Sequence, residues 1–485
     1  MTLSSRVWMH LAAKAVLGLF SFLTAITLLR LFVAPAVGFG VDEAHYVLYG
    51  YYLDLSYFDH PPLIGWIEYL FTSIFGLNTL AARIPAIILG VLTSYALFHL
   101  LLHVKTNRSL ALFGVMALNA SFMFNALFLM LMPETLLFAL SIPIIFTVIA
   151  IEHNNHLRDW LTLGLLLGLA GLSKYTAVLF VVAIVLYLMM KRHLHLIVKP
   201  GVIPAIIVAL VMISPVIFWN MQHEWISFAF QSDHVTGSSH INFNKFGQSI
   251  AAQFGAYSPF LFPVAYYGLY KSLTSKNDYL LLSGIMAAVI VLFFGYASLY
   301  NKALPHWNAL FFMLMIPIGS VYMYQASQRM RRYITFAVIA SLIISLTLYL
   351  ELLFKFNPFP DYRSLHRDLY GFDRIMYEAN ARLKHNEALA VANWSLGSRA
   401  LYYNLPFKSN LFVIDRREDQ FDLWQKDDPL GRDLLFISTH DFNANVAKNM
   451  KCDSIETRGS VDIMLRGRKV NTAVYTLCHH FQGLK

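Results

Sequence analysis

The sequence predicts an α-helical polytopic membrane protein that ends in a water-soluble α/β domain. Of its 485 residues, 57% are hydrophobic and only 13% are charged, a balance far outside that of soluble globular proteins. Apolar runs of about twenty residues, long enough to cross a bilayer, recur through the first part of the chain. Residues 355–485 differ, because they hold 19 of the 37 Lys and Arg and 16 of the 28 Asp and Glu. We therefore predict a membrane domain over 1–354 and a soluble domain over 355–485.

The apolar runs predict about eleven transmembrane helices. The first run, Ala15 to Val33, follows Arg6 and Lys14, is longer than a signal-peptide core and lacks an obvious cleavage site, so we interpret it as uncleaved. The predicted spans are 11–33, 80–102, 109–125, 133–151, 160–173, 175–190, 200–219, 256–270, 279–299, 305–325 and 333–354.

Basic residues in the loops predict the side of the membrane on which each loop lies. With the N-terminus in the cytoplasm, the outer loops hold only Lys174, Lys245 and Lys302. The cytoplasmic loops hold eleven basic residues, namely Lys105, Arg108, Arg158, Lys191, Arg192, Lys199, Lys271, Lys276, Arg329, Arg331 and Arg332. The soluble domain is therefore expected on the outer side. Each outer lysine is either a snorkelling residue at a helix end or a group that holds an anionic partner.

The first of two long outer loops is predicted to form two amphipathic helices at the membrane interface. Residues 35–79 contain no Lys or Arg, and their apolar residues recur at helical spacing in AHYVLYGYYLDL and LIGWIEYLFTSIFG, on either side of two prolines. Residues 220–255 also mix aromatic and polar groups. Both loops suit a ligand that lies half in lipid and half in water.

Carboxylates gather at the outer ends of the predicted spans. Asp42 and Glu43 follow the first span in GVDEAHY. Asp59 lies in YFDHPPL, and Glu134 opens the fourth span in MPETLL. GVDEAHY also has the pattern of a helix start, so one of its acids is equally consistent with a cap. Because a carboxylate at a bilayer edge is costly, several on one side indicate a function.

Cationic residues lie on the same predicted side. They are Arg83 in LAARIPA, Lys174 in LSKYTA, Lys302 and His306 in NKALPHW, and Lys245. Such groups bind phosphate, and an arginine offers a bidentate fork. Together with the acids they predict an outward-facing site with a carboxylate half and a phosphate-binding half.

One long segment resembles a known family of membrane enzymes. DEAHYVLYGYYLDLSYFDHPPLIGWIEYLFTSIFGLNTLAARIPA is similar to the first outer loop of GT-C glycosyltransferases, in the bacterial branch related to protein O-mannosyltransferases and to the aminoarabinose and galacturonic acid transferases of lipopolysaccharide. MPETLL, GLAGLSKYTAVL, ALPHWNA, NWSLGSRALYYN and EDQFDLW resemble later segments of that family in the same order. The resemblance implies a GT-C fold with outer interfacial helices and a periplasmic α/β domain. It also implies an inverting transferase of the bacterial inner membrane with a polyprenyl phosphate-linked sugar as donor.

The resemblance and the chemistry together predict which residues bind the phosphate of the donor. A polyprenyl phosphate departs as an anion, so the enzyme needs cations and donors around it. The residues expected to bind this phosphate are Lys174, Lys302, His306, Arg83 and His60. Related aminoarabinose transferases have Glu-Lys-Pro-Pro where this chain has Asp59-His60-Pro61-Pro62, and a histidine is fully charged only near or below a pKa of about 6.5. The donor sugar is therefore left open.

The acidic residues are expected to act in base catalysis and in binding the sugar. The acceptor hydroxyl needs a base, and the family's acidic pair corresponds to Asp42, as the base, and Glu43, which supports it or caps the helix. The catalytic set also includes Glu134, where the family usually has aspartate, as a helper of the base or a sugar ligand. The residues expected to contact the sugar are Asp59, Tyr57 and Tyr175.

Alternative functions fit the sequence less well. The acceptor is expected to be lipid A or another glycolipid, and a protein acceptor is the alternative. A lipid-linked sugar flippase would need polar groups near mid-membrane, and a scaffold would leave the acids unexplained. No basic run with interleaved aromatics indicates nucleic-acid binding. Asp42, Asp59, His60 and Glu134 could supply ligands for a divalent metal, but they lack a compact ligand spacing, so no metal is assigned.

The soluble domain is predicted to be α/β. ALAVANW, NLFVID and DLLFIS have the composition of short strands, and RDLYGFDRIMYEANARLK precedes them as a helix. Cys452 and Cys478 both lie here. An oxidising compartment could join them, and two free thiols fit the sequence equally well.

Overall fold

The computed structural model of the protein describes residues 3–104, 106–236, 240–357 and 365–485, with the side chains of 3–14 and 234–236 left undescribed. Lys105 and the side chains of Arg6 and Lys14, which entered the charge argument, lie outside that description. The chain forms two compact units. Unit 1 comprises Met1–Phe32, Asp54–Ile67 and Arg83–Leu348, and unit 2 comprises Val33–Leu53, Glu68–Ala82 and Tyr349–Lys485. The predicted domain boundary at residue 354 stays a prediction.

Helices dominate the chain as far as residue 354. In chain order they are α1 (Leu3–Val33), α2 (Val41–Tyr51), α3 (Leu63–Phe75), α4 (Thr79–His103), α5 (Arg108–Ala120), α6 (Phe122–Leu127), α7 (Pro133–Asn154), α8 (Leu157–Ser173), α9 (Val178–Met190), α10 (Val202–Gln222), α11 (Ile226–Thr236), α12 (Phe243–Ala256), α13 (Phe262–Leu273), α14 (Asp278–Ser298), α15 (Ala309–Ala326) and α16 (Gln328–Phe354).

Seven spans within the described ranges are long and apolar enough to cross a membrane: Ala15–Ala36, Thr79–His103, Pro133–Asn154, Val202–Gln222, Asp278–Ser298, Pro305–Ala326 and Gln328–Phe354. The protein is therefore a multi-pass membrane protein, as predicted. Shorter helices, α8, α9 and α13 among them, lie at other predicted spans, so the total of eleven stays a prediction. The two helices expected in residues 35–79 are confirmed as α2 and α3, and two further helices, α11 and α12, follow α10.

Glycines allow neighbouring helices of unit 1 to approach closely. A β-carbon on Gly268 of α13 would lie 2.3 Å from the Met315 carbonyl oxygen of α15. A β-carbon on Gly164 of α8 would lie 2.4 Å from the Ala205 carbonyl oxygen of α10. Since only glycine fits at these distances, the small residues fix which spans pack together.

The predicted span 109–125 is wrong as a continuous helix. The chain is extended at Ser121, which ends α5 and begins α6. A buried polar cluster replaces the helical continuation: Asn125 Nδ2 donates to the carbonyl oxygens of Asn119 and Ser121, at 2.8 and 3.0 Å. Arg30 donates to the side chains of both asparagines. These bonds satisfy backbone carbonyls that a hydrocarbon environment could not, and apolar periodicity gives no sign of them.

Unit 2 contains a five-stranded sheet. After residue 365 the elements are α17 (Phe372–Arg382), β1 (Glu387–Val391), α18 (Trp394–Asn404), β2 (Leu411–Val413), α19 (Gln420–Trp424), β3 (Asp433–Thr439), α20 (Val446–Asn449), β4 (Met450–Lys451), β5 (Ser454–Leu465), β6 (Arg468–His479) and β7 (Gly483–Leu484). The strand order is β2-β1-β3-β6-β5, parallel among the first three and antiparallel thereafter. The α/β class and its three predicted strands are confirmed.

The sheet buries both of its faces. Alternate residues point to opposite sides, so Leu389 and Val391 of β1 pack with one core and Ala388 and Ala390 with the other. Helices α17 and α18 cover the first face, and α2 packs against α18. Cys452 and Cys478 form a disulfide, with 5.4 Å between their Cα atoms, which decides between the two states that the sequence left open.

Candidate active site

Glu134 is the centre of a buried ion-pair cluster in unit 1. Pro133 occupies the first turn of α7, where its missing N–H costs nothing, and Glu134 follows it with only 4% of its surface exposed. Helix α8 returns antiparallel after a short turn, so Lys174 at its C-terminal end meets the start of α7. The Lys174 ammonium donates a hydrogen bond to Glu134. His306 Nε2 lies 3.8 Å from Glu134 Oε1.

Tyr257 supports this cluster, and sequence reasoning missed it. Its side chain is fully buried, stacks on Phe312 with 3.8 Å between ring centroids, and lies near enough to Glu134 to interact with its charge. The Tyr257 hydroxyl donates to the Pro305 carbonyl oxygen at 3.0 Å. That bond fixes the turn that carries His306. A tyrosine before Ser-Pro gives no functional signal in a sequence so rich in aromatics.

The Asp59–His60 loop is a second group of site residues, also in unit 1. Asp59 Oδ1 and His60 Nδ1 are 3.2 Å apart. The Tyr57 amide donates to the His60 carbonyl oxygen at 3.1 Å, which closes the turn, and α3 begins directly after the two prolines. Residues 57–60 therefore form a closed turn in front of the prolines.

Helix α11 anchors that loop. Ser227 Oγ donates to the Tyr57 carbonyl oxygen at 2.9 Å, and Gln231 Nε2 donates to the Asp59 carbonyl oxygen at 2.7 Å. The Tyr57 side chain is fully buried and its hydroxyl accepts a bond from the Asp54 amide. Burial raises the pKa of Tyr57, so the phenol stays protonated. Sequence reasoning singled out neither Ser227 nor Gln231, because only the tertiary fold brings them to residues 57–60.

Tyr175 connects the two groups. It follows Lys174 directly in the chain, and its hydroxyl is surrounded by the buried side chains of Ser56, Asn220 and Ser227. The Asp59 carboxylate is close enough to interact with it electrostatically. The predicted sugar-binding residues therefore lie beside the residue that pairs with Glu134.

Lys302 lies in an exposed loop that hydrogen bonds join to residues 233 and 245. Asn301 Nδ2 donates to the Asp233 carbonyl oxygen at 3.2 Å, and Lys245 Nζ donates to the Tyr300 carbonyl oxygen at 2.6 Å. Gln231 and Asp233 thus anchor the Asp59 loop and the Lys302 loop to neighbouring positions of α11. Lys245 has a structural partner, which favours an anchoring role for it.

Asp42 and Glu43 belong to unit 2. Both lie in the first turn of α2, and Glu43 Oε2 accepts a hydrogen bond from the Gly40 amide at 3.2 Å, as the expected cap would. His45 Nδ1 lies 3.0 Å from Ser398 Oγ of α18, in contact with the rings of Trp394 and Trp424. The helix that carries the predicted base is therefore packed against α18 within unit 2.

An apolar groove of about 500 Å³ opens beside Tyr175. Helices α7, α8, α9 and α10 line it with aliphatic side chains, and it extends from Tyr175 to Trp160, about 22 Å along α8. We call it the α8–α10 groove.

Arg83 is fully buried in α4. In the described part of the chain, no three His, Cys, Asp or Glu residues are grouped so that they could hold a metal ion.

Solved structures with the same fold as this chain are crystal structures of ArnT from Cupriavidus metallidurans. The form bound to undecaprenyl phosphate superposes with a TM-score of 0.67 over 96% of this chain and 98% of that one, at 13% identity. The apo form gives 0.66 over 95% and 98%, at 14% identity. The chain has the GT-C fold. The fold implied by the resemblance is therefore confirmed.

Two sequence comparisons also match parts of this chain. Residues 59–219 match the sequence family described as dolichyl-phosphate-mannose-protein mannosyltransferase. Lipid A galacturonosyltransferase RgtD of Rhizobium johnstonii is 28% identical over 255 residues, which make up 50% of this chain and 51% of that protein. The chain thus matches about half the length of that relative.

Proposed function

We propose that the protein is a membrane glycosyltransferase that moves a sugar from a polyprenyl phosphate to lipid A or another glycolipid, at the outer face of the bacterial inner membrane. One observation carries the proposal: Lys174, which pairs with the buried Glu134 beside His306, directly precedes Tyr175, and Tyr175 lines an apolar groove that follows the neighbouring span. A cationic site next to a long apolar groove suits a ligand with an anionic head and a prenyl chain. The relationship to a lipid A galacturonosyltransferase favours the glycolipid acceptor.

The donor's phosphate would lie at Lys174, and its prenyl chain would lie in the α8–α10 groove. Lys174 is 14% exposed and already pairs with Glu134, so it is held in place before the donor arrives. His306 would add a hydrogen-bond donor, and the exposed Lys302 would add charge at the entrance. Arg83 and His60 complete the proposed phosphate-binding set. Preorganised cations of this kind stabilise the departing phosphate anion.

The sugar would be oriented by Asp59 and Tyr175, beside the phosphate site. Tyr57 is buried, so its proposed part is to hold the loop that presents Asp59. The acceptor hydroxyl oxygen attacks the anomeric carbon from the face opposite the phosphate. The bond between that carbon and the phosphate oxygen breaks, and its electron pair leaves with the prenyl phosphate. Asp42 takes the hydroxyl proton, with Glu43 fixing the start of its helix.

The proposed reaction is tested by reconstituting the purified protein with an undecaprenyl phosphate-linked sugar and a lipid A acceptor. Mass spectrometry of the lipid product measures transfer. Asp42→Asn keeps the size of the side chain and is expected to lower turnover at least about a hundredfold. Asp54→Asn is the matched control, because Asp54 is an exposed acid that also lies in the predicted outer loop of residues 35–79. Normal turnover by the Asp42 variant would exclude it as the base, and absence of product from every glycolipid would exclude the acceptor class.

Protein O-glycosylation with the same type of donor is the second candidate. The match of residues 59–219 to a protein mannosyltransferase family favours it. Mass spectrometry of envelope proteins and glycolipids from cells with and without the protein separates the two. A sugar lost only from proteins would support this candidate over the first.

A further inference from the structure

Unit 2 contains an aromatic pocket of about 560 Å³ that the proposed reaction does not use. Its lining includes Tyr377 and Arg374 of α17, Tyr402 of α18, and Phe407, which follows α18. Leu77, in the turn before α4, closes one side. A cavity of this size falls in the usual range of small-molecule sites, about 300–1,000 Å³. We call it the Tyr377 pocket.

The rings of the pocket are held in place although they face solvent. Tyr377 is 56% exposed and Phe407 is 41% exposed, with 6.5 Å between their ring centroids. Arg374 lies over the Tyr377 ring at 5.8 Å and pairs with Glu378 at 2.5 Å. The Tyr402 hydroxyl donates to the Leu77 carbonyl oxygen at 3.4 Å. A contiguous patch of exposed apolar side chains marks an interaction site on a protein surface.

Polar groups at the rim of the Tyr377 pocket indicate which class of ligand it could bind. Asp373 is exposed and makes no salt bridge among the described residues, and Arg374 contributes one cation. One carboxylate and one guanidinium leave the lining without net charge. A pyranose ring has apolar C–H faces and a rim of hydroxyls, which match flat aromatic rings bordered by such donors and acceptors.

An apolar surface of the same unit adjoins the pocket. Helix α3 leads into the turn that holds Leu77, and it exposes Tyr69, Leu70, Ile74 and Phe75. An amphipathic helix that exposes such residues lies at a lipid boundary. A ligand with a sugar at one end and acyl chains at the other would satisfy both surfaces.

We propose that the Tyr377 pocket binds the saccharide headgroup of a glycolipid, with the acyl chains of that lipid along the exposed face of α3. The pocket would recognise the acceptor before transfer, so its biological role rests on the proposed function. Tyr377 and Tyr402 stack on the sugar rings, and Asp373 and Arg374 bond to hydroxyl or amide groups. The pocket therefore determines acceptor affinity and leaves the donor site unchanged.

The test is binding of an acylated glucosamine disaccharide to the full-length protein in nanodiscs, with no donor present. Tyr377→Ala is expected to raise the Kd about tenfold, and Tyr377→Phe, which keeps the ring, less than about threefold. Leu430→Ala is the matched control, because Leu430 is 54% exposed and does not line the pocket. It is expected to leave the Kd unchanged, and thermal unfolding checks that all variants fold.

A sugar-free diacyl lipid is the second probe and is expected to bind all variants alike. An unchanged Kd in Tyr377→Ala would overturn the proposal. Equal weakening of the sugar-free lipid would show a membrane contact instead of a sugar site, and would overturn it too. Because binding is measured without turnover, failure of the pocket is distinguishable from failure of the transferase reaction. Where transfer is observed, Tyr377→Ala should raise the acceptor KM and leave the donor KM unaltered.

Discussion

The two ends of α7 each bury a glutamate, and the comparison separates a structural cluster from a candidate site. Glu134 and Glu152 are about 27 Å apart along the helix, so they lie at opposite edges of the membrane. Both are almost completely buried, with side-chain exposures of 5% and 6%. Burial alone therefore does not distinguish them.

The Glu152 end is balanced in charge. Glu152 accepts a hydrogen bond from the Tyr187 hydroxyl, and it lies 2.8 Å from His193 Nδ1 and 3.7 Å from Lys191 Nζ. Lys191 also pairs with Asp278 at 2.5 Å. Two acids thus share one lysine and one histidine, which fixes the ends of three helices. We interpret this cluster as a structural one.

The Glu134 end has more cationic groups than acids. Glu134 pairs with Lys174 and His306, and the exposed Lys302 lies in the loop that precedes His306. Lys174 is followed directly by Tyr175, which lines one end of the α8–α10 groove. The comparison indicates that an excess of cationic groups over acids marks the end that can accept an anion.

The largest expected effect comes from neutralising the Glu134–Lys174 pair. The double variant Glu134→Gln/Lys174→Met replaces a buried ion pair with neutral side chains of similar size, which changes the free energy of unfolding by no more than about 2 kcal/mol. Transfer is expected to fall at least about a hundredfold, since the phosphate loses its cation. Thermal unfolding and product mass spectrometry measure both. An active double variant would contradict the assignment of this end.

Neutralising Glu152 at the other end of α7 should affect stability and leave turnover unchanged. Glu152→Gln leaves Lys191 and His193 with less negative charge to compensate them, and we expect it to lower the free energy of unfolding by about 2–3 kcal/mol. Turnover per folded molecule should stay the same, because this end does not contact substrate. Unfolding midpoints and the activity of the folded fraction measure the two quantities. A large loss of turnover in folded protein would remove the distinction between the ends.

Lys302 should have a smaller effect, because it is exposed and screened. Lys302→Ala is expected to raise the donor KM up to about fivefold at low salt, with less effect at high salt and none on kcat. Lys302→Arg, which keeps the charge, should be close to normal. Lys276→Ala is the matched control, an exposed lysine predicted to lie on the cytoplasmic side. Equal effects of the two alanine variants would remove Lys302 from the donor site.

The smallest effect concerns unit 2 and depends on pH. Burial raises the pKa of Asp419 from 3.8 to about 7. Because the folded pKa is above the unfolded one, the free energy of unfolding falls as pH rises from 3.8 to about 7. Asp419→Asn keeps the cap on the Phe421 amide and removes the charge. It should stabilise the protein by about 2 kcal/mol at pH 8 and by less at pH 5, measured by thermal unfolding. Equal stabilisation at both values would contradict the shift.

Much of the fold was predictable because its determinants are local. Apolar run length predicted the membrane helices, helical spacing predicted α2 and α3, and alternating apolar residues predicted β1, β2 and β3. The break at Ser121 was missed, because it depends on a cluster of Arg30, Asn119 and Asn125 that are far apart in sequence. The long β5–β6 hairpin was also missed, since its exposed polar residues conceal the strand pattern.

The candidate site was predictable in its residue types and less so in its grouping. Charged residues at span ends are rare and costly, so the sequence pointed to Glu134, Lys174 and His306 without showing that they meet. Neither Tyr257 nor Gln231 was found, because each acts by bonding to a backbone carbonyl of a distant loop. Such contacts are not visible in composition or periodicity. The roles of Asp42, Arg83 and the other site residues stay predictions.

The sequence by itself determined that this chain crosses a membrane, ends in an α/β domain and keeps its acids and sparse lysines on one predicted side. The free energies of burying apolar side chains and of placing a charge in a membrane depend on each segment by itself. A segment's own residues therefore predict whether it crosses the membrane. Only the tertiary structure decided that Lys174 pairs with Glu134, that Cys452 joins Cys478, and that α2 packs against α18. Those contacts join residues distant in sequence, and their energies exist only after the chain has folded.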